Sequence, residues 1–164
     1  MLRNAIRAAR LDPDFYNLVE RDPKFLVQAG AIVVVVSIAT GLGTFFASND
    51  LSLIAAVTGQ TVGGLIGWVL WAVITWFIGV RFFGGTADVG EMLRVLGFAQ
   101  APRIIGIVPF LGIIGTIWAI VASVVAVREG LDFTTGRALL TVIIGAIPLL
   151  LVVALTPLAL SSVF

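Results

Sequence analysis

Two long runs without a charged residue constrain this chain more than any other feature. Phe25–Ala47 and Leu51–Val80 contain no Asp, Glu, Lys or Arg, and each exceeds the roughly 20 apolar residues that a helix needs to cross a bilayer. The whole chain is 60% hydrophobic and 12% charged, whereas a soluble domain has about 25% charged residues. A soluble domain of this size would leave roughly 30% of its unfolded surface in water. The bilayer must therefore cover the excess apolar surface.

The apolar runs and the turns between them predict an all-α fold, a polytopic membrane helix bundle with five transmembrane helices. A short cytoplasmic amphipathic tail, residues 1–24, precedes a membrane domain, residues 25–164, whose spans lie at about 25–47, 60–82, 89–108, 111–127 and 136–163. As a single helix, Leu51–Val80 would measure about 45 Å, which is longer than a hydrocarbon core of about 30 Å. We therefore expect Leu51–Thr58 to connect two spans at the outer interface.

Several helix ends carry recognisable sequence signals. Asp12 followed by Pro13 is typical of an N-cap with proline at the first helical position. Gly84 tolerates the left-handed geometry of a helix C-cap, so it should end the second span. Asp88 and Glu91 have the spacing of a capping box and should open the third helix.

The N-terminal tail has two amphipathic stretches. Arg3, Arg7 and Arg10 recur at helical spacing on one face, and Phe15 and Val19 belong to an apolar stripe in a second short helix. The tail would form two in-plane helices at the cytoplasmic headgroups. The alternative is a partly disordered tail.

The charge distribution predicts the orientation. Nine of the ten Lys and Arg residues fall in the tail or in the two turns on the same side of the predicted topology. By the positive-inside rule the N-terminus is cytoplasmic and the C-terminus is outside. We expect a multi-pass protein of a prokaryotic plasma membrane.

The third helix contains polar and helix-breaking residues at membrane depth: Gln100, Pro102 and Arg103. Arg103 lies 15 residues beyond Asp88, about 22 Å along a helix, which would place it in the outer part of the bilayer. It would snorkel outward or pair with Asp50 or the terminal carboxylate of Phe164. Alternatively, its guanidinium would contact a lipid phosphate or another ligand. Pro102 interrupts the helix, and we expect a hairpin with a tight turn into the fourth helix.

One face of the second span is formed by glycines four residues apart: Gly59, Gly63 and Gly67. Such a ridge lets another helix approach closely, and close packing replaces the hydrophobic driving force that helices lack in lipid. The partner would be another span of this chain or a second subunit, which would make a homo-oligomer.

Charged side chains also gather in the predicted cytoplasmic turns: Asp88, Glu91, Arg94, Glu129, Asp132 and Arg137. They would serve as caps and solvated loop charges, as a docking surface for a partner, or as a weak Mg²⁺ or Ca²⁺ site. The chain has no His and no Cys, which removes the usual general base and thiolate chemistry. We therefore expect no enzyme activity, no cofactor and no nucleic-acid partner.

Three stretches of the sequence are similar to a known family. The pattern GG-T-x-x-x-x-E-M-L-x-V-x-G-F-A-x-x-P from Gly84 to Pro102, the tail DPDFYNLVERDPKFLVQA, and residues 118–138 with Arg128-Glu129-Gly130 resemble the Yip-domain proteins. The resemblance implies a five-span membrane protein with a cytoplasmic N-terminus. Eukaryotic members bind prenylated Rab GTPases in vesicle traffic. The tail of this chain is much shorter than the tails of the eukaryotic members, and in this respect the chain resembles the prokaryotic branch.

Two functional hypotheses follow. The first is a non-enzymatic membrane scaffold or adaptor of the Yip type, which organises protein partners or bilayer shape through its cytoplasmic turns. The second is a small transporter, permease subunit or lipid-moving protein with a polar path near Arg103. A polar cavity that reaches Arg103 would favour the second hypothesis.

Overall fold

A computed structural model describes the backbone of residues 1–49 and 51–161 and the side chains of residues 1–49 and 51–148. Within these residues all regular structure is helical. The helices are α1 (Leu2–Ala9), α2 (Pro13–Arg21), α3 (Phe25–Ala47), α4 (Leu53–Phe83), α5 (Val89–Ala99), a 3₁₀ segment (Ala101–Ile107), α6 (Leu111–Gly130) and α7 (Thr135–Ser161).

Three of these helices, α3, α4 and α6, are long and apolar enough to cross a membrane. The described part of α7, Thr135–Pro148, is a shorter apolar helix. The all-helical class is therefore confirmed, and the apolar helices support a multi-pass membrane protein. The count of five spans stays a prediction, and the expected end of the fifth span near residue 163 lies outside the described residues.

The second long helix begins earlier than its predicted span at 60–82. Ser52 caps its N-terminus by accepting a hydrogen bond from the amide of Ala55 at 3.2 Å, and no helix breaker follows, so the helix absorbs most of the expected connecting segment Leu51–Thr58. Its 31 residues extend about 46 Å. It ends where predicted, at Gly84, whose φ of 72° is left-handed.

The third helix differs from the single span predicted at 89–108. The α-helix α5 ends at Ala99, and the chain continues as the 3₁₀ segment. Pro102 lies in its first turn and has no N–H to donate to an α-helical carbonyl, which explains the change. The tight turn expected before the fourth helix is present, because only three residues separate Ile107 from Leu111.

The N-terminal tail is part of the protein core. Its two helices form where predicted, but Phe15, Tyr16 and Val19 of α2 are fully buried rather than facing headgroups. The ring of Phe15 packs edge-on against Phe98 of α5, with centroids 5.1 Å apart, and against Phe25 of α3 at 6.2 Å. An apolar stripe of this kind fits a protein surface as well as a lipid surface, and here protein covers it.

Close approach of backbones joins α3 to its neighbours. A Cβ added at Gly43 would collide with the carbonyl oxygen of Gly106 in the 3₁₀ segment, and one added at Gly41 would lie 2.8 Å from the Cα of Val57 in α4. These glycines let α3 approach both the 3₁₀ segment and α4, because nothing larger than hydrogen fits between the chains.

We predict that Gly43→Ala destabilises the protein by about 1–3 kcal/mol, because backbone must move to accommodate the methyl group. Gly59→Ala is the matched control, since no described atom lies within 4 Å of its added Cβ and alanine favours a helix by up to about 1 kcal/mol. The measurement is the free energy of unfolding in mixed micelles. Equal stability of the two variants would contradict the close packing at Gly43.

Candidate functional sites

Two regions are candidates for function: the charged turns that precede α5 and follow α6, and the surroundings of Arg103. In the first region, Asp88 and Glu91 form the predicted capping box. The carboxylate of Asp88 accepts from the amide of Glu91, and the carboxylate of Glu91 accepts from the amide of Asp88, each at 2.7 Å. Both carboxylates therefore stabilise the start of α5.

Arg94 holds the N-terminal tail and is not on the surface. Its side chain is buried, with 6% exposure, and its Nε donates to the carbonyl oxygen of Val19 at 3.0 Å. Its Nη2 donates to the carbonyl oxygen of Glu20. Because these carbonyls lie in the last turn of α2, where α-helical partners are missing, the guanidinium satisfies both and fastens α2 to α5.

Glu129 makes a second link to the tail. One carboxylate oxygen pairs with Nη2 of Arg128 at 2.6 Å, and the other accepts a hydrogen bond from the side-chain amide of Asn17 in α2, also at 2.6 Å. Glu129 therefore connects the end of α6 to the tail.

Three of the predicted residues of this region are exposed: Asp88, Asp132 and Arg137. The carboxylate of Asp132 accepts from the hydroxyl of Thr86 at 3.2 Å, which joins the turn after α4 to the turn after α6. Asp132 itself has a left-handed φ of 55°.

Glu20 is a member of this region that sequence reasoning missed. Partial burial raises the pKa of its carboxyl above the ordinary value of 4.5, and the negative charges of Asp132 and Glu91 raise it further, while Arg21 lowers it. No sequence signal distinguishes Glu20 from a solvated helix residue, because only the docking of α2 brings it beside the turns. Within the described residues, no three acidic side chains are grouped to hold a metal ion.

The second region is a cavity of about 470 Å³ between α3, α4, the 3₁₀ segment and α6. Its polar lining side chains are Ser37, Gln60, Gln100, Arg103, Thr116 and Ser123. Its apolar walls include Val36, Trp68, Trp71 and Ile120. The indole nitrogen of Trp68 donates to the carbonyl oxygen of Leu93 at 2.9 Å, which holds that wall against α5.

Within the described residues, Arg103 has one hydrogen-bond partner: its Nη1 donates to the amide oxygen of Gln100 at 2.9 Å. No described carboxylate lies within 4.0 Å of its guanidinium; the described ion pairs involve Arg7, Arg21 and Arg128. The pairing partners expected from the sequence, Asp50 and the carboxylate of Phe164, lie outside the described residues. Helix α1 contacts the 3₁₀ segment, so part of this segment lies beside the tail.

The glycine ridge of α4 faces open space within the described part of the chain. No described atom lies within 4 Å of a Cβ added at Gly59, Gly63 or Gly67, and Gly63 and Gly67 line the cavity. The close contact of α4 with α3 in this stretch is instead made by Gly64, where an added Cβ would collide with the hydroxyl of Ser37. Packing of the ridge against a second subunit stays a prediction.

Comparison with protein-family models matches residues 11–156 to the Yip1 domain. No curated protein and no solved structure matches the chain.

We predict that Arg94→Met releases the N-terminal tail, because two carbonyl oxygens of α2 lose their donor while the aliphatic stem is kept. Proteolysis of the tail in detergent micelles should become at least about tenfold faster, since buried hydrogen bonds to a charged group stabilise by about 1.5–3 kcal/mol. The exposed Arg81 provides the control Arg81→Met. Unchanged cleavage in Arg94→Met would show that the apolar face of α2 suffices to hold the tail.

We predict that stability falls as the pH rises from about 4.5, because the raised pKa of Glu20 means that folding disfavours its ionised form. Below that pH the Glu20 carboxyl is protonated in the folded and in the unfolded protein, so its burial does not lower the free energy of unfolding. The pKa of Asp12 is lowered mainly by its hydrogen bond with Arg7, so its contribution to stability is constant above its ordinary value of 3.8 and is lost only below it. Glu20→Gln should therefore flatten the fall in melting temperature as the pH rises above about 4.5, and the exposed-charge control Asp14→Asn should leave that fall in place.

Proposed function

The chain belongs to the Yip1 domain family, and from that premise we propose that it is a non-enzymatic scaffold or adaptor in the membrane. The protein would organise a cytoplasmic or membrane protein partner, or the shape of the bilayer, through the turns at one end of its helices. The proposal includes the predicted topology: five spans, a cytoplasmic N-terminus, an outer C-terminus and a prokaryotic plasma membrane.

One observation carries the proposal: the tail and the turns are joined into a single surface. Arg94 and the Asn17–Glu129 hydrogen bond fasten α2 to the ends of α5 and α6, and the Thr86–Asp132 hydrogen bond joins the two turns. A preorganised surface binds a partner without the entropy cost of ordering loops.

The docking residues of this proposal are a smaller set than the sequence suggested. Glu91, Arg94 and Glu129 are partly or fully buried, so the surface available to a partner is presented by the exposed charges Asp88, Asp132 and Arg137. These three residues define what we term the turn surface. Both signs of charge are present, so the partner surface would also carry both.

A non-enzymatic role is supported by the side-chain chemistry. The sequence offers no His and no Cys as base or nucleophile. The buried hydroxyl of Ser123 donates within its own helix, to the carbonyl oxygen of Ala119 at 2.8 Å. That bond orients the hydroxyl without activating it, because a backbone carbonyl does not accept a proton.

The cavity beside Arg103 favours the second candidate, a small transporter or lipid-moving protein. This function requires a polar path at Arg103, and the structure has a cavity there with six polar side chains among its lining residues. The rate of lipid exchange between the leaflets of liposomes distinguishes the two candidates. A lipid-moving protein accelerates this exchange, whereas an adaptor leaves its rate unchanged.

We predict that a variant combining Asp88→Asn, Asp132→Asn and Arg137→Gln loses partner binding. Asparagine still caps α5 and tolerates the left-handed φ at position 132, so the fold is preserved while the charges are removed. The measurement is recovery of native membrane proteins with the protein held in nanodiscs. The control changes exposed charges of the tail, Asp14→Asn with Lys24→Gln. A partner that binds wild type and both variants equally would place its interface elsewhere.

A further inference from the structure

Arg103 is a cation in a cavity whose described lining contains no acid. Its guanidinium carries five N–H donors and stays charged at any physiological pH. One donor is used by Gln100. An ionisable side chain among membrane helices is costly and normally has a partner of opposite charge. No described carboxylate is within 4.0 Å of the guanidinium, so an anion bound in the cavity would supply the countercharge that the described residues lack.

Two side-chain amides beside Arg103 offer further donors to the cavity, whereas the hydroxyls of Thr116 and Ser123 donate to carbonyl oxygens of their own helix. Gln100 uses its amide oxygen for Arg103, which leaves its NH₂ group as a donor. Gln60 lines the same cavity and has a second amide NH₂. A ligand that satisfies these groups must offer several acceptor oxygens and negative charge. A phosphate group does so, and a guanidinium binds phosphate with two parallel hydrogen bonds.

The shape of the cavity suggests where the phosphate comes from. The helices α4 and α6, which form two of its walls, make no extended contact with each other. The α4 wall presents glycines at positions 63, 64 and 67, and Gly63 and Ile120 are exposed. A polar pocket with an exposed apolar margin suits a ligand whose polar head enters the cavity while its chains remain in the bilayer.

We propose that this cavity binds the phosphate group of an anionic membrane lipid, with Arg103 as the principal ligand and Gln100 holding its guanidinium. The described lining has no carboxylate to pair with a choline or ethanolamine ammonium, so lipids with an uncompensated negative charge should bind best. This inference goes beyond the scaffold function, because it needs neither a protein partner nor the turn surface.

The test uses the delipidated full chain in detergent, titrated with dioleoylphosphatidic acid and followed by native mass spectrometry. We expect saturable binding of one lipid, at least about tenfold tighter than dioleoylphosphatidylcholine. Arg103→Gln should weaken binding about tenfold to a hundredfold, as expected for a lost bidentate charged contact. Arg103→Lys keeps the positive charge but lacks the two parallel N–H donors of a guanidinium, so its affinity should lie between those of wild type and Arg103→Gln. The exposed Arg81 provides the control Arg81→Gln.

A second pair of variants tests the site without changing any charge. Gly63 lines the cavity and Gly59 does not, yet both have open space around an added Cβ within the described residues. Gly63→Leu should therefore fill the cavity and weaken binding, while Gly59→Leu should leave it unchanged. This pair keeps the proposal testable if loss of Arg103 prevents folding.

Three results would overturn the proposal. Equal affinity of wild type and Arg103→Gln for phosphatidic acid would show that Arg103 does not bind the lipid. Binding of oleate as tightly as phosphatidic acid would show that any anion suffices and would reject the phosphate assignment. Inorganic phosphate binding as tightly as the lipid would reject the lipid and assign the site to soluble phosphate. Recovery of protein partners by the turn surface is unaffected by any of these results, so the two proposals fail independently.

Discussion

The loss of one backbone donor at Pro102 shapes the middle of this protein. In lipid, an unsatisfied backbone group costs several kcal/mol, so the chain cannot simply leave a gap where the α-helix is interrupted. It tightens into a 3₁₀ segment instead, in which the amide of Arg103 donates to the carbonyl oxygen of Gln100 at 2.9 Å. The segment passes close to the backbones of α3 at Gly43 and of α6 at Gly115. The side chains of Gln100 and Arg103 are thereby brought into contact.

Much of the helical framework could be predicted because its signals are local. The ends of α3, the cap at Asp12 and the capping box at Asp88 depend on residues within one helical turn of each other, and the structure has all of them. Helix α4 begins before its predicted span because a bilayer thickness limits a span but does not end a helix. The change from α-helix to 3₁₀ after Ala99 was signalled by Pro102 but was predicted only as a hairpin.

The partners of surfaces could not be predicted, because a residue pattern describes one side of a contact. The apolar stripe of α2 was expected to meet lipid, and it meets Phe25 and Phe98. Arg94 was expected among solvated charges, and it satisfies carbonyl oxygens of α2. The cavity depends on residues from three helices and the 3₁₀ segment. The sequence related only Gln100 and Arg103, three residues apart, to a polar path, and it predicted that Gly63 and Gly67, which also line the cavity, pack against another helix.

A scaffold role alone leaves Arg103 unexplained. Every interaction that builds the turn surface involves α2, α5, α6 or the turns beside them, and none of them involves Arg103. A neutral side chain at this position would preserve the fold at lower cost, since a desolvated cation destabilises a structure unless something compensates its charge. Among the described residues, the Gln100 amide is the only compensation present, and a dipole at 2.9 Å offsets part of a unit charge. No described carboxylate supplies the remainder, whereas an anion or water that enters the cavity would supply it. Water would satisfy the donors but would not favour arginine over a neutral amide such as glutamine, whereas a phosphate would. Within the described residues, the charge of Arg103 is therefore better explained by the proposed ligand than by a contact with the protein itself.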